Sequence, residues 1–102
     1  MTNNPEVSVA QALELLKQRT EPFVEVFQHG SLSVELYKPR GADHQKPHDR
    51  DEVYVIISGS GVFLNNGRRW DFRPGDVLFV PAGVEHRFVE FTDEFATWVI
   101  FI

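Results

Sequence analysis

The hydrophobic positions of the chain change period once. Val9, Ala12, Leu13 and Leu16 recur at i, i+3, i+4 and i+7, which makes one apolar stripe on a helix. Ser8 stands before them and Gln11 three residues later, the spacing of a capping box. Thr20-Glu21-Pro22 closes the segment, because the residue before proline avoids the helical region. A helix over about residues 8–19 is predicted, packed outside a sheet.

After Pro22 the period is two. FVEVFQH runs into His29-Gly30, and then Leu32, Val34 and Leu36 alternate with Ser31, Ser33 and Glu35. EVYVIIS passes through Gly59-Ser60-Gly61 into GVFLN, and Asn66-Gly67 marks a two-residue hairpin, since both residues tolerate positive φ. RRWDF meets the turn Arg73-Pro74-Gly75-Asp76, VLFV follows, and HRFVEF, Thr92-Asp93-Glu94 and FATWVIFI end the sequence. Roughly eight or nine short strands with such turns predict an all-β, antiparallel sandwich or small barrel. One domain over residues 1–102 is expected, with the barrel from about residue 23 onward.

Val53–Ile57 and Phe95–Ile102 are apolar on both faces. A strand of an isolated barrel shows one wet face, so something covers the outside. One helix covers only part of it, and a second subunit is the expected remainder: a homodimer.

The bulk numbers narrow the field. With 102 residues, 42% hydrophobic, the chain builds a single core from nine Phe and two Trp. A net charge of -5 argues against nucleic acid, whose phosphates need a basic face. No apolar run approaches the roughly 18 residues that span a bilayer, and no charged-then-apolar leader opens the sequence. A cytoplasmic protein with no membrane or nucleic-acid partner is expected. The absence of cysteine excludes disulfides and thiolate metal sites.

Two polar islands interrupt the pattern. HQKPHDRDE, residues 44–52, leads into an apolar strand, with His48 and Glu52 four apart and in alternation register with Tyr54 and Ile56. GDVLFVPAGVEHRFVE, residues 75–90, repeats the arrangement, and His86 shares a face with Phe88. Such residues ahead of strands are ordinarily solvated turn residues. Two histidines and a carboxylate pointing inward near strand ends are also the ingredients of a 2-His-1-carboxylate metal site.

At these residues the chain resembles the cupin family. The second cupin motif, G-x5-P-x-G-x2-H-x3-N, is matched by Gly75, Pro81, Gly83 and His86, with Glu90 where asparagine would stand. The first, G-x5-H-x-H-x3or4-E-x6-G, is matched by His48, Glu52 and Gly59. The resemblance implies a double-stranded β-helix (jelly-roll) barrel holding one divalent transition metal on His48, Glu52 and His86. The family's other histidine is missing. Three-residue spacing puts Lys46 in its place, and four-residue spacing puts Gln45 there, with Pro47 absorbing the slip. Gln45 is the favoured fourth ligand, since an amide oxygen suits a hard or borderline cation. His44, Lys46 and a water are the other candidates.

Without sulfur the donors suit Fe, Mn, Ni, Cu or Zn alike. The resemblance implies a metal-dependent enzyme acting on a small oxygen-rich, phenolic or sugar-type molecule, of dioxygenase, isomerase or lyase class. Tyr54, Phe63 and Phe88 are expected to line a substrate cavity above the metal, with Glu90 or Lys46 as candidate bases. The alternative is a non-catalytic module that binds a small ligand. A third reading has the polar groups hydrogen-bonded to one another around no ligand.

Overall fold

The computed structural model describes residues 5–102, and these form one helix and eight strands. The helix, α1 (Val9–Lys17), carries the expected capping box: Ser8 Oγ accepts from the Gln11 amide, and Gln11 Oε1 accepts from the Ser8 amide. It ends two residues early. The amides of Gln18 and Arg19 turn back to the carbonyls of Leu15 and Leu16, tightening the last turn.

The strands are β1 (Phe23–His29), β2 (Leu32–Tyr37), β3 (Glu52–Ser58), β4 (Gly61–Asn65), β5 (Arg68–Phe72), β6 (Val77–Val80), β7 (His86–Val89) and β8 (Ala96–Phe101). All pair antiparallel, in a five-stranded sheet β1-β2-β8-β3-β6 and a three-stranded sheet β5-β4-β7. The β4–β5 hairpin turns at Asn66 and Gly67, with φ of 54° and 82°. This is the positive-φ pair that a twisted two-residue hairpin requires. β7 stops sooner than HRFVEF suggested, because Glu90 takes φ 53° and leaves the ladder.

The two sheets face each other across an aromatic core that includes Tyr54, Phe63, Phe72, Phe88 and Phe95. A second apolar cluster lies outside the five-stranded sheet. There Ala12 and Leu16 of α1 cover Val24, Val26, Leu36 and Ala96. The two faces of β2 are therefore used in the less familiar sense. Val34 and Leu36 belong to the outer cluster, while Tyr37 joins the inner core and Glu35 looks into a cavity.

The helix leaves one end of that outer face bare. Cross-strand partners lie on one side of a sheet, so register builds two apolar rows: Val34–Ile100–Val53–Phe79 and Leu36–Trp98–Val55–Val77. Both rows run out onto β6, an edge strand, where Val77 is 65% and Phe79 54% exposed.

Candidate metal centre

Alternation along β3 turns Glu52, Tyr54 and Ile56 inward, and along β7 it turns His86 and Phe88 inward. His48 reaches the same place by another route. The expected alternation does not extend back to it, because β3 begins at Glu52 and residues 38–51 are irregular. Backbone bonds hold that segment in place. The Gly83 amide donates to the His48 carbonyl (2.7 Å), and the Ala82 amide donates to Asp51 Oδ1 (2.8 Å). The two polar islands are thus joined through the Pro81-Ala82-Gly83 turn.

His48, Glu52 and His86 each offer one ligand atom, and these atoms lie within 4.8 Å of one another. Glu52 Oε2 is 3.5 Å from His48 Nε2 and 3.3 Å from His86 Nε2. Both contacts have ion-pair distance without hydrogen-bond geometry. Among the described residues nothing hydrogen-bonds Glu52 Oε1, Glu52 Oε2 or His86 Nε2, although all three are buried. A buried carboxylate without a partner costs several kcal/mol in order of magnitude. Two imidazole nitrogens and a carboxylate around one point fit a divalent transition metal, which would satisfy these atoms. The polar groups bond one another only in part: Gln45 bonds His48 and Tyr54, while the Glu52 oxygens and His86 Nε2 stay without hydrogen bonds.

His86 is prepared for that role. Its Nδ1 lies 2.9 Å from the Val84 carbonyl, which can only accept, so the proton sits on Nδ1 and the Nε2 lone pair faces Glu52. Burial opposes the imidazolium, but Glu52, the Val84 carbonyl and Asp43 together outweigh it and raise the His86 pKa.

Gln45 stands beside the cluster, its Oε1 3.3 Å from His48 Nε2 and 3.0 Å from the Tyr54 hydroxyl. Burial, with Glu52 next, holds the Tyr54 hydroxyl pKa well above its ordinary value, so this phenol donates to Gln45. His44 and Lys46 are exposed, and Lys46 does not border the cavity described next.

A cavity of about 490 Å³ opens beside His48 and Gln45, bordered also by Glu35, Tyr37, Arg50 and Phe101. The expected lining is corrected here. Tyr54, Phe63 and Phe88 are at most 1% exposed and do not border this cavity. Tyr54 and Phe63 pack 6.1 and 6.2 Å from the His86 ring, and Phe88 packs on both, so the three form the floor beneath the cluster. Glu90 is also corrected as a base: it is exposed and pairs with Arg69 on the surface.

Two cavity residues carry chemistry that the motifs did not indicate. Burial, and then Glu25 directly across the β1–β2 ladder, push the Glu35 carboxyl up to about 7, against the opposing charge of Arg50. Arg50 Nη1 donates to Ser33 Oγ (3.3 Å), and its guanidinium lies 4.7 Å from the Phe101 ring centroid. Alternation with Val34 and Leu36 was the available signal for Glu35. Nothing local marked Arg50.

The family model described as a cupin domain matches residues 33–102. The chain belongs to the cupin family. This cupin is 32% identical to an uncharacterized protein of Streptomyces coelicolor over 78% of its own length and 77% of that protein. It is 44% identical to an acireductone dioxygenase of Rhodopseudomonas palustris over 45 residues, 40% of this chain and 27% of the enzyme. It is 31% identical to the HTH-type transcriptional activator RhaS of Yersinia pestis over 69% of this chain and 26% of that one. This cupin therefore spans about a quarter of those two longer relatives. A cupin-2 domain containing protein from Shewanella frigidimarina shares its fold with a TM-score of 0.72 at 21% identity, over 92% of this chain and 91% of that one.

Proposed function

We propose that this cupin is a metal-dependent enzyme whose His48, Glu52, His86 and Gln45 hold one divalent transition metal and whose substrate is a small oxygen-rich molecule of phenolic or sugar type. The observation that carries this reading is the set of buried Glu52 and His86 atoms without partners, converging with His48 at a cavity wall. Bound there, Fe, Mn, Ni, Cu or Zn would supply a Lewis acid for substrate oxygens. The chain's own groups do the rest. Arg50 offers a cation to an acidic substrate, and Glu35, with its raised pKa, exchanges a proton at the cavity near neutral pH. Among dioxygenase, isomerase and lyase, similarity to the acireductone dioxygenase supports the first.

A second reading, a ligand-binding module without turnover, has its support in similarity to the RhaS activator. It keeps the cavity and the metal and drops the reaction. The bare apolar rows on β6 support a homodimer under either reading.

Elemental analysis of protein purified without chelator tests the proposal, with about one equivalent of transition metal expected. No stoichiometric metal after reconstitution with each of the five ions would overturn it. Loaded protein that binds small acids or phenols but converts none would favour the binding module.

A further inference from the structure

We propose that Asp43 is the positioning residue that makes Gln45 an oxygen donor to the His48–Glu52–His86 cluster, fixing the amide so that its oxygen faces the cluster. The inference rests on the metal reading above and concerns a residue that neither cupin motif includes.

A glutamine amide has two nearly isosteric ends. Turned one way it offers an oxygen lone pair, and turned the other it offers an NH₂ that a cation repels. Position 45 is useful to a metal in only one of these states. Asp43 selects it. Asp43 Oδ2 lies 2.9 Å from Gln45 Nε2, and a carboxylate oxygen accepts from that nitrogen but has nothing to donate to Oε1. At the other end of the amide, the Tyr54 hydroxyl donates to Oε1. Both ends are thus assigned by their neighbours, and Oε1 is left 3.3 Å from His48 Nε2.

Asp43 can impose this because it is itself held. It is 5% exposed, in an otherwise irregular segment. Besides Gln45 Nε2, its two oxygens accept from the Gln45 amide (3.1 Å), the Phe88 amide on β7 (2.8 Å) and the Tyr37 hydroxyl at the end of β2. The bond to the amide two residues on is an Asx-type turn, which sets the backbone of position 45. The same carboxylate sets its side chain. A surface loop needs no such hub. The Phe88 bond ties the hub to the strand that carries His86, so the fourth donor and the buried imidazole share one anchor.

Co(II) serves as the probe, read by calorimetry and by its visible absorption in the 102-residue chain. Outer-sphere partners of metal ligands are worth about 10–100-fold in affinity. Asp43→Asn is expected to weaken Co(II) binding by about as much as Gln45→Ala, with coincident visible bands. Gln45→Glu alone sets carboxylate against carboxylate and is expected to lose affinity despite its stronger donor. The double variant Asp43→Asn/Gln45→Glu is expected to recover it, because the introduced asparagine amide can donate to the new carboxylate. A residue that only staples the loop would not give that recovery. If Asp43→Asn fails to fold, hydrogen exchange of the Gln45 side-chain amide in the unaltered protein decides: slow exchange with and without Zn(II) supports the lock, and exchange as fast as in a free glutamine overturns it. Tight Co(II) binding by the unaltered protein, with affinity and spectrum unchanged in Asp43→Asn, overturns this inference alone. Absence of Co(II) binding by the unaltered protein overturns the metal reading, and this inference with it.

Discussion

The amide of Gly83 donates to the carbonyl of His48 across 2.7 Å, so the turn ahead of β7 and the segment ahead of β3 are one structural unit. Gly83 adopts φ +81° with nothing within 4 Å of a built Cβ, and Gly59 adopts φ +80° with Phe95 Cα only 2.5 Å from such a carbon. The two glycines therefore separate conformational cost from steric cost. Gly83→Ala is expected to lose about 1–2 kcal/mol, the left-handed penalty alone. Gly59→Ala meets backbone and is expected to lose more than about 3 kcal/mol. Thermal melts of the two variants check the order, and equal losses would contradict it.

His86→Ala should abolish tight metal binding, since it removes one of two imidazoles and leaves Glu52 buried with less to face. Gln45→Ala, losing a neutral donor, should cost roughly tenfold in Kd. Titration with Zn(II) or Co(II) distinguishes them. A His86→Ala variant with unchanged affinity would be incompatible with the proposed ligand set.

Glu35 makes stability fall as pH rises. Burial and Glu25 push its carboxyl from the ordinary 4.5 up to about 7 in the fold, so the folded state holds the proton longer than the unfolded chain does. Its stabilising contribution is complete below pH 4.5 and is lost as pH climbs through about 7. Glu35→Gln should flatten the pH dependence of Tm across that window. Parallel curves for the two proteins would show that the carboxyl titrates elsewhere.

Phe79→Lys places a charge at the end of a bare apolar row, beside Val53 on the neighbouring strand. Sedimentation of the unaltered chain at micromolar concentration should give twice the 11.7 kDa chain mass, and the variant should give the single mass. A lone 11.7 kDa species in the unaltered protein would remove the homodimer.

The fold was legible because local signals agreed with one another. Ser8 and Gln11 marked the helix start, Asn66-Gly67 the hairpin, and period-two runs each strand. His48, Glu52 and His86 were legible for a different reason: motif spacing survives even where regular structure does not, and His48 lies outside any strand. The cavity was not legible. Its walls come from β2, β8 and the irregular segment together, and Arg50 acquires its place only by lying over Phe101 and bonding Ser33. The aromatic lining was misplaced because Tyr54, Phe63 and Phe88 carry no mark that tells floor from wall. No sequence signal marked Asp43, which lies in the irregular segment and becomes a hub only through the approach of β7.

The cluster is walled unequally. The Glu52 and His86 side chains are 1% exposed and rooted in strands, whereas the His48 side chain is 34% exposed on a segment outside the ladders. Of the three, His48 alone borders the cavity. That makes the site a cul-de-sac with a single doorway, and His48 is the doorpost. If the cluster holds a metal as proposed, chelators are expected to reach it past His48 rather than through the barrel wall. Wall and entrance are thus built from different kinds of backbone, strand for Glu52 and His86 and irregular chain for His48.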